Sequence, residues 1–276
     1  MTLKIERELV EARCAAAAAG DEVFVRSCQL CGIASAMTAV PYTAEVEEGW
    51  SDAERIAYLE GLIHDRGTSS EDARKIRLYL AWRGHARSQY VLGYDFHFGS
   101  GIACDYALAR YWYGLAADQD NPHAQNNLAN LLVDGLGGET DAPRALSLYE
   151  RSTALGNVIA AGNLGMQLVE GGGVARDYRR AATFLKMYLA EYPYSGRHHF
   201  LLAECYRHGA GGRSSRILAR DHYREASDFG HAAARKTLRT LRSRKGEASA
   251  RAARELGTLL ADTELFESYR AALLET

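Results

Sequence analysis

The feature that most constrains this chain is a block of residues that recurs at nearly constant spacing. Gly99, Gly135, Gly171 and Gly209 are separated by 36, 36 and 38 residues. The same register holds for Leu92, Leu128, Leu164 and Leu202, for Asp105, Asp141, Asp177 and Ser215, and for Ala109, Ala145, Ala181 and Ala219. A self-similar period of this length is the signature of a stacked array, in which each unit buries its apolar face on its neighbour, rather than of a globular enzyme with one pocket.

Each repeat reads as two helices joined by a glycine turn. Ser88, Leu92 and Phe96 fall on one face at i, i+4 and i+8, as do Ala124, Leu128 and Leu132, and Ala160, Leu164 and Leu168. This first helix is expected to stop at Gly99-Ser100-Gly101, Gly135-Leu136-Gly137, Gly171-Gly172-Gly173 and Gly209-Ala210-Gly211, where glycine accepts the left-handed conformation of a helix end. Asp105, Asp141, Asp177 and Ser215 then stand where a side-chain oxygen caps the next helix, and Pro143 fits its first turn. The second helix carries Ala109, Trp112 and Tyr113, then Ala145, Leu148 and Tyr149, Ala181, Phe184 and Leu185, and Ala219, His222 and Tyr223. Gly93, Ala129, Gly165 and Ala203 form a small-residue column on the first helix, where the partner helix must approach closely, and aromatic rings fill the remaining space.

These residues resemble the Sel1-like repeats, relatives of the tetratricopeptide repeats. Leu92-Gly93, Phe96, Gly99, Gly101, Asp105, Ala109, Trp112-Tyr113 and Ala116-Ala117 follow the family pattern in order, and Leu164-Gly165, Gly171, Gly173-Val174, Asp177-Tyr178 and Ala181 follow it again. The second repeat departs at Ala129, Leu148 and Ser152-Thr153, and the fourth at Ser215. Ala73 and Gly84 lie 36 residues before Ala109 and Asp120, which places a degenerate extra repeat over residues 52–85. The resemblance implies an all-α fold, a right-handed superhelical solenoid of helix-turn-helix repeats with helical caps at both ends. The expected division is an N-terminal helical cap or linker over 1–51, about five repeats over 52–245, and capping helices over 246–276, with helices at 247–260 and 263–274.

Composition agrees with a helical array, at 47% hydrophobic residues, 25% charged residues and four prolines in 276. No apolar run approaches the ~18 residues of a membrane span. Lys4, Glu6, Arg7, Glu8 and Glu11 stand where an export signal would place an apolar core, so a cytoplasmic location is expected. The five cysteines lack the dense, even pattern of a secreted disulfide scaffold. Cys28 and Cys31 form a lone Cys-x-x-Cys with no second ligand pair near it, and read as buried packing residues. His198, His199, Cys205 and His208 share one predicted helix, where packing with a local hydrogen bond explains them more simply than a metal does. No metal site and no cofactor are expected.

Catalytic constellations are not evident. The Gly-x-Gly turns lack the lysine and hydroxyl of a phosphate loop and the preceding strand of a dinucleotide fold. Asp105, Asp141 and Asp177 are a whole repeat apart and serve as caps, not as an acid and base pair. An enzyme remains an alternative only for residues 1–51, where Tyr42 and Trp50 flank Glu45, Glu47 and Glu48.

Binding is what an array of helix pairs supports from its shape. In this architecture the first helices line the concave face, and their non-core columns read Tyr90, Asn126, Gly162, Phe200, then Val91, Asn127, Asn163, Leu201, then Tyr94, Asn130, Met166, Glu204. An asparagine amide both donates and accepts, so a ladder of them can clamp the backbone of an extended peptide. The candidate partner-binding residues are therefore Tyr90, Tyr94, Asn126, Asn127, Asn130, Asn163, Met166 and Glu204. A secondary basic surface carries Arg235, Lys236, Arg239, Arg242 and Arg244, within a stretch from Arg207 to Arg254 that holds 13 Lys or Arg against four acidic residues. That end reads first as a solvated cap, then as a site for an acidic protein, and last for nucleic acid, because aromatic residues do not interleave it. The expected function is a noncatalytic scaffold or adaptor that binds a protein or peptide. The rival readings are an immunity or inhibitor protein that binds a toxin or effector, and a metal-dependent or enzymatic activity in the N-terminal region.

Overall fold

The 36-residue period becomes a period of helix boundaries. The computed structural model describes residues 2–32, 52–64, 70–210 and 215–243, all helical apart from turns and short connections. The helices expected over 247–260 and 263–274, Arg244, and the Tyr42 to Trp50 segment lie outside the described residues. Two compact units are formed, Met1–Glu191 and Tyr192–Thr276.

The first unit contains α1 (Thr2–Ala18), α2 (Glu22–Leu30), α3 (Asp52–His64), α4 (Ser70–Trp82), α5 (Ala86–Phe98), α6 (Tyr106–Asp118), α7 (Pro122–Asp134), α8 (Ala142–Ala154), α9 (Val158–Glu170) and α10 (Tyr178–Glu191). α5, α7 and α9 are first helices, and α6, α8 and α10 are their partners. Each helix in the row packs on the next along the chain. The first helices end at Gly99, Gly135 and Gly171, with φ of 68°, 67° and 71°, the left-handed cap that glycine adopts without strain. Each loop is then closed by the same backbone bond, from Asp105 N to Phe96 O, Asp141 N to Leu132 O and Asp177 N to Leu168 O. Asp105, Asp141 and Asp177 accept from amides in the first turn of the second helix, which satisfies donors that a helix start otherwise leaves open.

Close approach explains the small-residue column. A Cβ on Gly93 would lie 2.7 Å from Tyr113 Cδ1, and one on Gly165 would lie 2.7 Å from Leu185 Cγ and 3.2 Å from the Ala181 carbonyl oxygen. The second glycine of the turn meets the preceding repeat. At Gly137, where φ is 77°, a Cβ would sit 2.4 Å from the backbone of Tyr106 at the start of α6. One glycine therefore sets the distance within a repeat and another the distance between repeats.

The N-terminal helices dock on this array. α1 lies against α4, and α2 reaches α6. Phe24 is buried with its ring 6.3 Å from that of Trp82 and 6.4 Å from that of Trp112. The Trp112 indole N–H donates to Ser27 Oγ at 2.9 Å in the buried interface. Arg26 pairs with the Asp105 carboxylate. Cys28 and Cys31 are both free and buried in this contact. Burial pushes both thiols up to about 12, so they stay protonated at neutral pH.

The second unit contains α11 (Gly196–Arg207), α12 (Ser215–Asp228) and α13 (Ala232–Ser243). α11 and α12 form an antiparallel pair around Leu202, Cys205, Tyr223 and Ala226. α11 ends at Arg207 with His208 as its C-cap, and Gly209 follows in the left-handed conformation expected of this column, with φ of 91°. One local detail differs from the sequence expectation: Ser215 is the buried first residue of α12.

Gly165→Val would force a branched side chain between α9 and α10, where even a methyl carbon meets Leu185 and a backbone oxygen. Thermal and urea unfolding should show a loss of about 1 to 3 kcal/mol. An unchanged unfolding midpoint would remove the close-approach role assigned to this column.

Candidate partner-binding surface

The second-helix tyrosines organise the polar groups on the first helices. Tyr149, buried on α8, donates its hydroxyl to Asn130 Oδ1 on α7 at 2.5 Å. Tyr113, buried on α6, accepts from Asn127 Nδ2 at 3.2 Å, and its oxygen lies 3.4 Å from His97 Nδ1. Burial raises the pKa of both hydroxyls and lowers that of His97. The tyrosines keep their protons, and the neutral His97 ring has an acceptor nitrogen available.

The asparagines connect these two anchors into one chain. Asn126 Nδ2 donates to Asn127 Oδ1 at 3.1 Å, and Asn163 Nδ2 on α9 donates to Asn126 Oδ1 at 2.9 Å and to Asn130 Oδ1 at 3.3 Å. Hydrogen bonds thus run from Tyr113 through Asn127, Asn126, Asn163 and Asn130 to Tyr149, bracing α7 against α9. Asn126 is only 6% exposed, while Asn127, Asn130 and Asn163 are half-buried. The amides that the sequence offers to a ligand are engaged with one another. Asn130 Nδ2 and Asn163 Oδ1 are left out of these contacts.

Aromatic rings lie beside the ladder on α5. Tyr94 is 41% exposed and Phe98 58% exposed, with ring centroids 4.5 Å apart. His97 stacks on Phe98 at 4.1 Å and meets Tyr106, itself exposed, edge-on at 5.8 Å. Tyr90 sits between Tyr113 at 6.0 Å and His123 at 5.8 Å, and its burial raises its pKa. Met166 is half-exposed on α9. Phe98, His97 and Tyr106 escaped the sequence reading because Phe98 abuts the helix-ending Gly99 and Tyr106 opens the next helix. The turn between α5 and α6 brings the two ends together.

The other sequence candidates lie in the second unit. Glu204 accepts from Tyr223 and pairs with Arg207, so its carboxylate is engaged within its own repeat. Arg235, Lys236 and Arg239 are exposed on α13, and Arg242 falls in the same helix. His198, His199, Cys205 and His208 do not converge as a set. His198 Nδ1 lies 2.7 Å from Ser195 Oγ, Cys205 is buried, and His208 is exposed near Glu204.

Comparison with known proteins agrees with this repeat geometry. The Sel1 repeat family matches residues 86–121, 122–157, 158–187 and 199–231. The chain is a Sel1-repeat protein. Its helix pairs are the two helices of each Sel1 unit, and α3 with α4 forms a further pair ahead of the matched repeats. A Sel1 repeat protein from Oxalobacter formigenes is similar in structure, with a TM-score of 0.50 and 30% identity over 60% of this chain and 65% of that one. A protective antigen present in uropathogenic Escherichia coli strains, displaying an SLR fold, has a TM-score of 0.54 and 25% identity over 62% of this chain and 36% of that chain. Protein sel-1 homolog 2 of Rattus norvegicus and that of Mus musculus are each 35% identical over 115 residues, 40% of this chain and 17% of theirs. The chain thus matches about one sixth of the length of these curated relatives. Sel1 repeats generally mediate protein–protein interaction, and the family is generally non-catalytic. No helix among the described residues is long and apolar enough to cross a membrane.

Asn163→Ala would strip two hydrogen bonds from the ladder and leave buried Asn126 without its donor. Chemical denaturation should show a stability loss of about 1 to 2 kcal/mol. A variant as stable as the parent would mean that the ladder does not brace the first helices.

Proposed function

We propose that this Sel1-repeat protein is a noncatalytic interaction scaffold that receives an extended segment of a partner protein across α5, α7 and α9. The observation that carries this reading is the run of exposed rings Tyr94, Phe98 and Tyr106 beside a braced polar ladder. Exposed aromatics that already pack on one another lose little conformational freedom on binding and supply large contact areas, which is why such residues dominate interface energetics. The ladder contributes differently from a free clamp. Its amides are held in place before a ligand arrives, so the remaining Asn130 Nδ2 and Asn163 Oδ1 can meet a peptide backbone at reduced ordering cost. The basic residues Arg235, Lys236 and Arg239 on α13 are a secondary surface suited to an acidic protein.

The test uses peptides panned from a random displayed library on the full chain. Tyr94→Ala combined with Phe98→Ala changes only half-exposed or exposed rings, so the melting curve should stay in place while peptide affinity falls at least tenfold, about 1.4 kcal/mol. Peptides that bind the double variant as tightly as the parent would overturn the placement of the site on α5.

A further inference from the structure

In the second unit, three metal-ligating atoms converge from α11 and α12. His199 Nδ1 lies 3.0 Å from His222 Nδ1 and 2.8 Å from Glu225 Oε2, and His222 Nδ1 lies 2.9 Å from the same oxygen. They are the one group of three or more His, Cys, Asp or Glu ligands this close together among the described residues. His222 and Glu225 share a face of α12 at i, i+3, and packing of α11 on α12 brings in His199.

The proton arrangement of this triangle is unusual. His199 Nε2 lies 2.8 Å from the Pro193 carbonyl oxygen, which can only accept, so that nitrogen carries the proton. In the neutral ring Nδ1 is then a bare lone pair, and it faces a carboxylate oxygen at 2.8 Å. Three atoms that can each offer a lone pair therefore face one another within 3.0 Å. A cation at the centre satisfies all three. The bond to Pro193 is also the outer-shell contact that fixes a metal-binding imidazole in the required tautomer and orientation.

Repeat packing does not call for these residues. The position of His199 corresponds to Gln89, Gln125 and Ala161 in the other repeats, and that of His222 to Trp112, Leu148 and Phe184. An apolar second-helix column has become a ligand in this repeat alone. The rings are walled in by aromatic neighbours, Tyr206 stacked on His222 at 5.6 Å and Phe229 against His199 at 5.6 Å. The side chain of His199 is 8% exposed and that of Glu225 50% exposed, so the triangle opens to solvent on the carboxylate side.

We propose that His199 Nδ1, His222 Nδ1 and Glu225 Oε2 form a binding site for a zinc-like divalent transition-metal ion, with water in the fourth position. Two imidazole nitrogens and one carboxylate suit zinc, whereas calcium and magnesium prefer oxygen donors alone. Donors held about 2.0 to 2.1 Å from zinc at tetrahedral angles lie about 3.3 Å from one another. The observed edges are a few tenths of an ångström shorter, so binding requires a small outward adjustment of three side chains and no movement of helices.

The site is tested on the untagged, chelator-treated full chain, titrated with Zn2+ by calorimetry and with Co2+ by visible absorption. One ion per chain is expected, with the intense ligand-field bands of four-coordinate Co2+. His222→Asn and Glu225→Gln should each weaken binding at least about tenfold. His208→Gln, outside the triangle, and Cys28→Ser combined with Cys31→Ser should leave it unchanged. Circular dichroism of the metal-free proteins checks folding, and the exposed Glu225 supplies a variant least able to disturb the core. Absence of binding, binding unchanged in both ligand variants, or binding lost only with the cysteines would each overturn the site.

Discussion

The rest of the structure depends on one contact, between a small residue of each first helix and the bulky residue 20 positions later on the second. Gly93 lies under Tyr113 and Gly165 under Leu185, at distances that exclude a further carbon atom. Ala129 and Ala203, both fully buried, hold the same column ahead of Tyr149 and Tyr223. Close packing of this kind makes helix separation a fixed quantity, since neither an extra methylene nor a gap is tolerated cheaply. The loop bonds and aspartate caps recur with this column at Asp105, Asp141 and Asp177.

The same contact sets the chemistry of the candidate surface. Tyr149 reaches Asn130 and Tyr223 reaches Glu204, each 19 positions back along the chain. In the third repeat this pair of positions holds Met166 and Leu185, and the hydroxyl is absent along with the polar acceptor. A position that looks free on a helical wheel is therefore an intra-repeat clasp in the second and fourth repeats, whereas in the first Tyr94 stays exposed and the Tyr113 hydroxyl turns to Asn127 and His97. Asn163 ties the clasp of the second repeat into the ladder from the neighbouring helix. The proposed partner surface is consequently pre-ordered, with its exposed apolar area at the α5 end.

Most of the fold was legible in the sequence because a repeat supplies its own internal comparison. Gly99, Gly135 and Gly171, the Asp105, Asp141 and Asp177 caps, and the Gly93 and Gly165 approaches each follow from a column whose chemistry has one reading. The site was less legible. Asn126, Asn127, Asn130 and Asn163 stood out as a cluster, but whether an amide faces solvent or another amide depends on rotamers and on the neighbouring helix, which spacing alone does not encode. The docking of α2 through Phe24, Ser27 and Trp112 joins residues 85 positions apart in the case of Ser27 and Trp112, outside the periodic region, so no register announced it. The convergence of His199 with His222 and Glu225 lay across two helices. Its trace in the sequence was the appearance of His222 in a column otherwise held by Trp112, Leu148 and Phe184.

The central functional claim is that a partner contacts the first-helix face of the Met1–Glu191 unit, and hydroxyl-radical footprinting with a bound peptide tests it most directly. Tyr94, Phe98 and Met166 are oxidisable on that face, while the exposed Met187 on α10 and Tyr194 in the second unit report elsewhere. The account predicts reduced oxidation of Tyr94, Phe98 and Met166 on binding, with Met187 and Tyr194 unchanged. Protection of Met187 or Tyr194, with the first-helix residues still reactive, would contradict it.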